Sequence, residues 1–229
     1  MPASVSIVVP CFNERDNLPS VLDELLRWAR DAVARELVSG FEIVVVDDGS
    51  SDGSTATLAK EPELRVVRHA TNKGLSAALR TGFASARQEL VTWVPADGQI
   101  RAVAIEALLR ARHDDAMVIS TYSHRPDGWW RALMSTTARL LVRGIIGFGG
   151  RLEGIYLFRR SLLDEIDLVS TRSAGIEAFE LAAKVQRLGG RIATTEIDCL
   201  PRMSGRSKVA DARNIATFIA DLARIRASF

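Results

Sequence analysis

Short apolar runs alternate with amphipathic stretches over the first two-thirds of the chain. Ser4 to Val9 predicts a strand. From Leu18 to Val38 the residues Leu18, Val21, Leu22, Leu25, Leu26, Ala29 and Val33 fall on one stripe of period 3.6, which predicts an amphipathic helix. Phe41 to Val46 is almost unbroken in apolar residues, as a parallel strand covered on both faces should be. A short helix from about Ser54, a strand Leu64 to Arg68 and a helix Leu75 to Ala86 follow. Next come strand Leu90 to Val94, helix Ala102 to Arg112 and strand Ala116 to Thr121. This alternation with short connections predicts an α/β fold with a mainly parallel central sheet flanked by helices. Ligands of such sheets sit at the carboxyl ends of the strands. Chemistry is therefore expected just after Val9, Val46, Arg68 and Val94.

The pattern changes after about residue 124. His124 to Arg160 holds seven Arg against Asp127 and Glu153, together with Trp129, Trp130 and a Leu/Ile-rich helical stretch. A strand Gly154 to Phe158, a helix Gly175 to Leu188 and a strand Arg191 to Ile197 complete the predicted fold. In the last segment, Asp211 to Ser228, residues Ile215, Phe218, Ile219, Leu222 and Ile225 share a face.

Composition narrows the class. The 229 residues are 47% hydrophobic and 25% charged, ordinary values for a globular domain, and exclude a disordered tail or a fibre. The longest mostly apolar stretch, Trp129 to Phe148, is interrupted by Arg131, Arg139 and Arg143, so no transmembrane segment is expected. No signal peptide is expected either. A net charge of +2 gives no reason to expect nucleic acid as a partner. Cys11 and Cys199 make neither a disulfide framework nor a zinc spacing, which points to a reducing cytoplasm.

Five segments carry candidate chemistry. Pro10-Cys11-Phe12-Asn13-Glu14 follows the first strand and Asp47-Asp48-Gly49-Ser50-Ser51-Asp52-Gly53-Ser54 the second. Carboxylates there can accept from a nucleobase N–H or from ribose hydroxyls; the same residue types also make ordinary turns and helix caps. Asn72-Lys73-Gly74 opens a helix, where backbone N–H groups favour anions. Pro95-Ala96-Asp97-Gly98-Gln99 offers two oxygen ligands of the kind Mg²⁺ and Mn²⁺ take, beside substrate phosphate and water, or a simple turn at Gly98. The run from Pro201 to Lys208 puts three cations and two hydroxyls in a short loop, suited to phosphate or to a solvated surface.

Taken in order, these segments resemble family 2 glycosyltransferases with the GT-A (nucleotide-diphospho-sugar transferase) fold, and among them the dolichol- or polyprenyl-phosphate mannose-synthase-like branch. The matching elements are VPCFNE, VVVDDGSSDGS, NKGLSAALRTGF, PADGQ, RPDGWWR, EGIYLFRR, ELAAKVQRLGGRI and PRMSGRSK, spread over residues 5 to 208. The resemblance implies an inverting transfer of a sugar from a GDP- or UDP-linked donor to a polyprenyl phosphate. It implies a nucleotide site of Pro10, Asn13, Glu14, Asp47, Asp48 and Gly49, joined by Lys73 and Ala96, with Asp48 reading the base. It implies a divalent cation, Mg²⁺ or Mn²⁺, held by Asp97 and Gln99. Asp97, Arg202 and Lys208 carry the catalytic roles in this likeness. Arg125, Arg202, Ser207 and Lys208 would gather the acceptor phosphate.

The family motif usually reads D-A-D, and its first Asp is Pro95 here. The family's usual Asp and Ser or Cys before Gly154 are also replaced, by the run Gly150-Arg151-Leu152-Glu153. Two other functions remain open on the sequence. One is transfer to a soluble hydroxyl, with Glu177 or Glu180 as base; the other reading of this pair is solvated helix surface. The second is a non-catalytic nucleotide-binding protein, suggested by Pro95. Residues 1–208 are expected to form the GT-A domain. Residues 209–229 form an amphipathic helix, in the same domain or as a membrane or dimer contact that leaves room for a homo-oligomer. The resemblance and the Arg-rich apolar segments imply a cytoplasmic protein held peripherally at the inner face of the membrane.

Overall fold

The structure is a computed structural model that describes residues 2–56, 58, 60–123, 140–170, 175–200 and 212–229. Its strands are β1 (Val5–Cys11), β2 (Phe41–Asp47), β3 (Leu64–Arg68), β4 (Leu90–Trp93), β5 (Met117–Tyr122), β6 (Tyr156–Arg159) and β7 (Ile192–Ile197). Its helices are α1 (Leu18–Ala34), α2 (Leu75–Ser85), α3 (Val103–Ala111), α4 (described over residues 140–146), α5 (Leu162–Glu165), α6 (Ile176–Arg187) and α7 (Ala212–Ala227). The strands form one seven-stranded sheet in the order β3-β2-β1-β4-β6-β5-β7. All neighbours are parallel except β6, which runs antiparallel to both β4 and β5.

The side-chain alternation of β1 divides the core. Val5, Ile7 and Val9 face α1 and α3, meeting Leu18, Leu22, Leu25, Ile105 and Leu108. Val8 faces the other layer, with Leu79 and Phe83 of α2 and Leu181 and Val185 of α6. Helices thus cover both faces, which explains why β1 and β2 are apolar at nearly every position. Gly82 lets α2 sit close to the sheet: a Cβ there would lie 2.2 Å from Val8 Cγ1. α7 joins the α2–α6 layer through buried Leu222 and Ile225 while Ile219 stays exposed.

Most predicted elements are present with ends shifted by a few residues, and three points differ. The helix expected from about Ser54 is not formed; residues 54–56 make a turn closed by the bond from Ala56 N–H to the Gly53 carbonyl. The first helix ends at Ala34 rather than Val38, because Glu36 takes a φ of 55° and turns the chain back. The short α5 had no periodic signal long enough to read.

Strand order places the site. β1 to β3 spread to one side of the sheet and β4 onward to the other, so the order reverses between β1 and β4. β4 pairs with β1 only as far as Val8–Trp93, and the last bond runs from Val94 N–H to the Val8 carbonyl. Pro10, two residues on, faces the same side, where no strand continues. Its missing N–H therefore removes no ladder bond. This switch point, flanked by residues 10–14 and residues 95–99, is where a sheet of this kind takes its ligand.

Candidate active site

The loops after β1 and β2 are bonded to each other by side chains. Asn13 N–H donates to Ser50 Oγ (3.0 Å), and Asn13 Oδ1 accepts from Ser51 N–H (2.9 Å). Glu14 N–H donates to Ser54 Oγ (2.9 Å), and Arg15 N–H to Asp52 Oδ2 (3.0 Å). Asp52 Oδ1 accepts from both the N–H and the hydroxyl of Ser54. Glu14 Oε2 accepts from Asn17 Nδ2 (2.7 Å) just before α1. These short polar side chains replace backbone pairing where the strands end, and they hold Pro10, Asn13 and Glu14 against the Asp47–Ser54 turn.

Asp47 and Asp48 do different work. Asp47 Oδ1 accepts from Ser50 N–H (2.9 Å) and Oδ2 from the Thr55 hydroxyl (2.6 Å), with Arg68 Nε 3.7 Å away. Burial works against its charge, but the Thr55 and Ser50 bonds and the Arg68 charge outweigh it and hold the pKa below 3.8. Asp48 reaches the other way. Its Oδ1 meets His69 Nδ1 (2.6 Å) and Lys73 N–H (2.9 Å), and its Oδ2 accepts from Gly74 N–H (2.8 Å). Asp48 thereby fastens the turn after β2 to the loop that opens α2. Gly49 makes this approach possible: its φ is +74°, and a Cβ would lie 2.6 Å from the Thr71 carbonyl carbon. The Lys73 side chain stays exposed.

On the other side of the switch point, Ala96 and Asp97 are buried just after β4. Asp97 Oδ1 accepts from Gln99 N–H (3.1 Å), closing a turn with Gly98 at a φ of 73°. Gln99 Nε2 donates to the Leu200 carbonyl (3.3 Å), and Leu200 N–H donates back to the Gln99 carbonyl (2.9 Å). The Asp97 turn is thus tied to Leu200, which directly precedes residues 201–208 in the chain. Arg125, Arg202, Ser207 and Lys208, with Trp129 and Trp130, lie outside the described residues. Among the described residues no three His, Cys, Asp or Glu side chains gather into a metal-binding group. One carboxylate with a neighbouring amide suits a cation that takes most of its ligands from water and a substrate diphosphate, as Mg²⁺ does, and not a metal caged by protein.

Glu177 and Glu180 do not lie on a solvated helix face. Both are fully buried. Glu180 accepts from Val169 N–H (2.7 Å), Ser170 N–H (2.9 Å) and Lys184 Nζ (2.7 Å), so it anchors the loop before α6. Glu177 accepts from the Ser76 hydroxyl of α2 (2.5 Å) through Oε2, while Oε1 and the Tyr156 hydroxyl meet no well-formed hydrogen-bond partner among the described residues. Burial pushes the Glu177 pKa up to about 7, against the pull of Ser76 and with a push from Glu180. Tyr156 is raised well above its ordinary value by burial and by the Glu177 charge. Cys11, at the end of β1, is buried and its thiol is pushed up to about 11, so it is held as an inert thiol.

Sequence reading missed the parts played by Ser50, Ser54, Asp52, Thr55, His69 and Ser76. The Ser/Asp/Gly density after β2 signals self-bonding turns, but a turn signal does not name a partner 37 residues away. A cavity of about 260 Å³ opens behind the Asp97 turn, between it and α1, lined by Glu24, Leu25, Val94, Gly98, Arg101 and Leu200. It contains none of Asp47, Asp48 or Asp97 and is a separate feature of the α1 face.

A family model described as glycosyl transferase family 2 matches residues 6–167. An undecaprenyl-phosphate 4-deoxy-4-formamido-L-arabinose transferase of Pseudomonas syringae pv. syringae is 35% identical over 181 residues, 75% of this chain and 52% of that protein. A human dolichyl-phosphate beta-glucosyltransferase is 32% identical over 116 residues, 48% of this chain and 36% of that protein. The chain spans about half the length of the first of these relatives. Among solved structures, a glucosyl-3-phosphoglycerate synthase from Mycobacterium tuberculosis, in complex with Mn²⁺, UDP-glucose and phosphoglyceric acid, matches with a TM-score of 0.69. It is 21% identical, with 96% of this chain and 80% of that one covered. A mannosyl-3-phosphoglycerate synthase from Rubrobacter xylanophilus matches with a TM-score of 0.68 at 20% identity, over 99% of this chain and 73% of that one. The fold is GT-A.

Proposed function

Because the chain belongs to glycosyl transferase family 2, we propose that it transfers a sugar, with inversion, from a nucleoside diphosphate sugar to a polyprenyl phosphate. The acceptor class follows the names of the relatives. The observation that carries the donor site is the reversal of strand order between β1 and β4, which sets the bonded loops of Pro10, Asn13, Glu14, Asp47 and Asp48 at the end of β1 and β2 and Ala96 and Asp97 at the end of β4. In this reading Asp48 accepts from the base. Gly49 and the Lys73–Gly74 turn line the nucleoside, and Asp97 with Gln99 faces the diphosphate.

Asp97 and Gln99 are the residues that would hold a divalent cation, which when bound neutralises charge on the leaving diphosphate. Arg202 and Lys208 take the same task and share the acceptor phosphate with Arg125 and Ser207. An acceptor phosphate is largely ionised near neutral pH, with a second pKa of roughly 6 by analogy with phosphoserine, and attacks without a general base. A hydroxyl acceptor would need one. Glu180 is occupied by three donors and Glu177 is sealed between α2 and α6, which favours the phosphate acceptor over a hydroxyl.

No helix among the described residues is long and apolar enough to cross a membrane. We place the chain at the cytoplasmic membrane surface. The exposed Leu140, Leu141 and Ile219 and the basic side chains of α4 and α7 are its contacts there.

The test is transfer of labelled sugar from UDP- or GDP-linked donors to a polyprenyl phosphate by the full chain with Mg²⁺ or Mn²⁺. Product is expected, and Asp97→Ala is expected to lower turnover by about a hundredfold or more with the fold intact. Undiminished turnover in Asp97→Ala, or transfer only to soluble hydroxyl acceptors, would overturn the reading.

A further inference from the structure

Asp48 is a carboxylate with its hydrogen-bonding capacity almost used. An ionised carboxylate has about four acceptor positions, two on each oxygen. His69 Nδ1 (2.6 Å) and Lys73 N–H (2.9 Å) fill Oδ1, and Gly74 N–H (2.8 Å) takes one position on Oδ2. One position remains. The Asp48 and His69 side chains are only 4% and 6% exposed, so water does not compete for these bonds.

The tautomer of His69 follows from its neighbours. Asp48 can only accept, so Nδ1 carries the proton, and Nε2 takes the Thr81 hydroxyl (2.9 Å). Thr81 lies on α2, one turn beyond Ala77, and holds the ring from the helix side. The two amides that meet Asp48 come from the backbone and are present whatever side chains stand at 73 and 74. Among the described residues, His69 is the one side chain bonded to Asp48, and it sets how much of Asp48 is left.

We propose that His69 is a specificity-determining residue of the donor site: by taking the position on Oδ1 that Lys73 N–H leaves, it leaves Asp48 a single acceptor position, which selects uracil over guanine. Uracil presents one ring N–H between two carbonyls, a match for one vacancy. Guanine presents a ring N–H and an adjacent amino group, two donors side by side, and the second would go unpaired against a filled oxygen. Cytosine presents an unprotonated ring nitrogen, whose lone pair would oppose the carboxylate. A donor or acceptor left unpaired in a closed site is penalised far more than a missing apolar contact. This inference rests on the reading of Asp48 as the residue that meets the base.

The experiment is calorimetric binding of UDP, GDP and CDP, each with Mg²⁺, to the full chain and to His69→Leu and His69→Gln. The native chain is expected to bind UDP roughly tenfold or more tighter than GDP or CDP. His69→Leu, which frees one of the two positions on Oδ1, is expected to bring UDP and GDP within about threefold of each other. His69→Gln, whose amide can donate to Asp48, is expected to retain most of the preference. Melting without ligand checks that each variant is folded. If His69→Leu does not fold, Thr81→Val, which frees the ring on its other side, is expected to narrow the ratio in the same direction. Equal or tighter GDP binding by the native chain overturns the inference, and so does an unchanged ratio in the variants; both leave the donor site standing. No binding of any of the three nucleotides to the native chain overturns the donor-site reading itself.

Discussion

Two pairs of acidic residues, Asp47 with Asp48 and Glu177 with Glu180, are buried in different parts of this fold and behave differently. The Asp pair closes β2 at the carboxyl edge of the sheet, where loop amides and hydroxyls are plentiful. Asp47 and Asp48 together meet donors from Ser50, Thr55, His69, Lys73 and Gly74. The Glu pair lies in α6, whose own amides beyond the first turn are spent on the helix. Glu180 finds two amides of the preceding loop and Lys184, while Glu177 finds the Ser76 hydroxyl and the backbone at the start of its own helix. Both burial and donor supply differ: Glu177 is sealed inside and burial dominates its rise to about 7, whereas Asp47 lies nearer the surface and its Thr55 and Ser50 bonds and the Arg68 charge outweigh the lesser burial and hold it below its ordinary pKa.

The sharpest way to break this comparison is Glu180→Ala. It leaves the buried Lys184 ammonium without its carboxylate and orphans the Val169 and Ser170 amides. The expected cost is about 3–5 kcal/mol in urea unfolding, a large part of a domain's stability. A loss under about 1 kcal/mol would mean that Glu180 does not anchor the loop.

Next comes the pH dependence of Glu177. Its native pKa of about 7 lies above its ordinary 4.5, so the folded chain holds the proton more tightly than the unfolded one. That contribution is complete below 4.5 and is lost as pH rises through about 7, up to roughly 3 kcal/mol. Asp47 acts in the opposite sense: its contribution is present above 3.8 and fades as pH falls through its lower native value. Unfolding midpoints at about pH 5 and about pH 8 are expected to fall for the native chain and to stay level for Glu177→Gln. A native chain that gains stability over that interval would contradict the burial of a proton at Glu177.

The smallest effect is Ser76→Ala. It removes the hydroxyl that Glu177 Oε2 accepts, at an expected cost of about 1 kcal/mol near neutral pH. A larger loss would show that the Ser76–Glu177 bond, and not apolar packing, holds α2 to α6.

Much of the layout was legible from periodicity. The unbroken apolar runs of β1 and β2 follow from helices on both faces, and the stripe of α1 follows from its single buried face. The positions of Asp48 and Asp97 at strand ends were legible for the same reason, since α/β sheets place loops and ligands there. The helix expected at Ser54 failed because Asp52 and Gly53 satisfy the local backbone through turns instead. Of the two readings of Glu177 and Glu180, a base or a solvated helix surface, the solvated one fails, although charge in a helix is ordinarily exposed. Only their partners, Ser76 101 residues away and the amides of residues 169 and 170, show why they are inside.

The sequence by itself therefore determined the class of the fold, the order of its elements and the ends of strands where chemistry belongs. Those properties depend on residue type and on spacing along one chain. The tertiary structure alone decided which acidic groups are charged, which carry a proton, and how many acceptor positions Asp48 has left. His69, Lys73 and Gly74 reach Asp48 from the next loop, 21 to 26 residues along the chain. Hydrogen-bond supply at a point in space has no period in sequence, so it can be read only after the chain has folded.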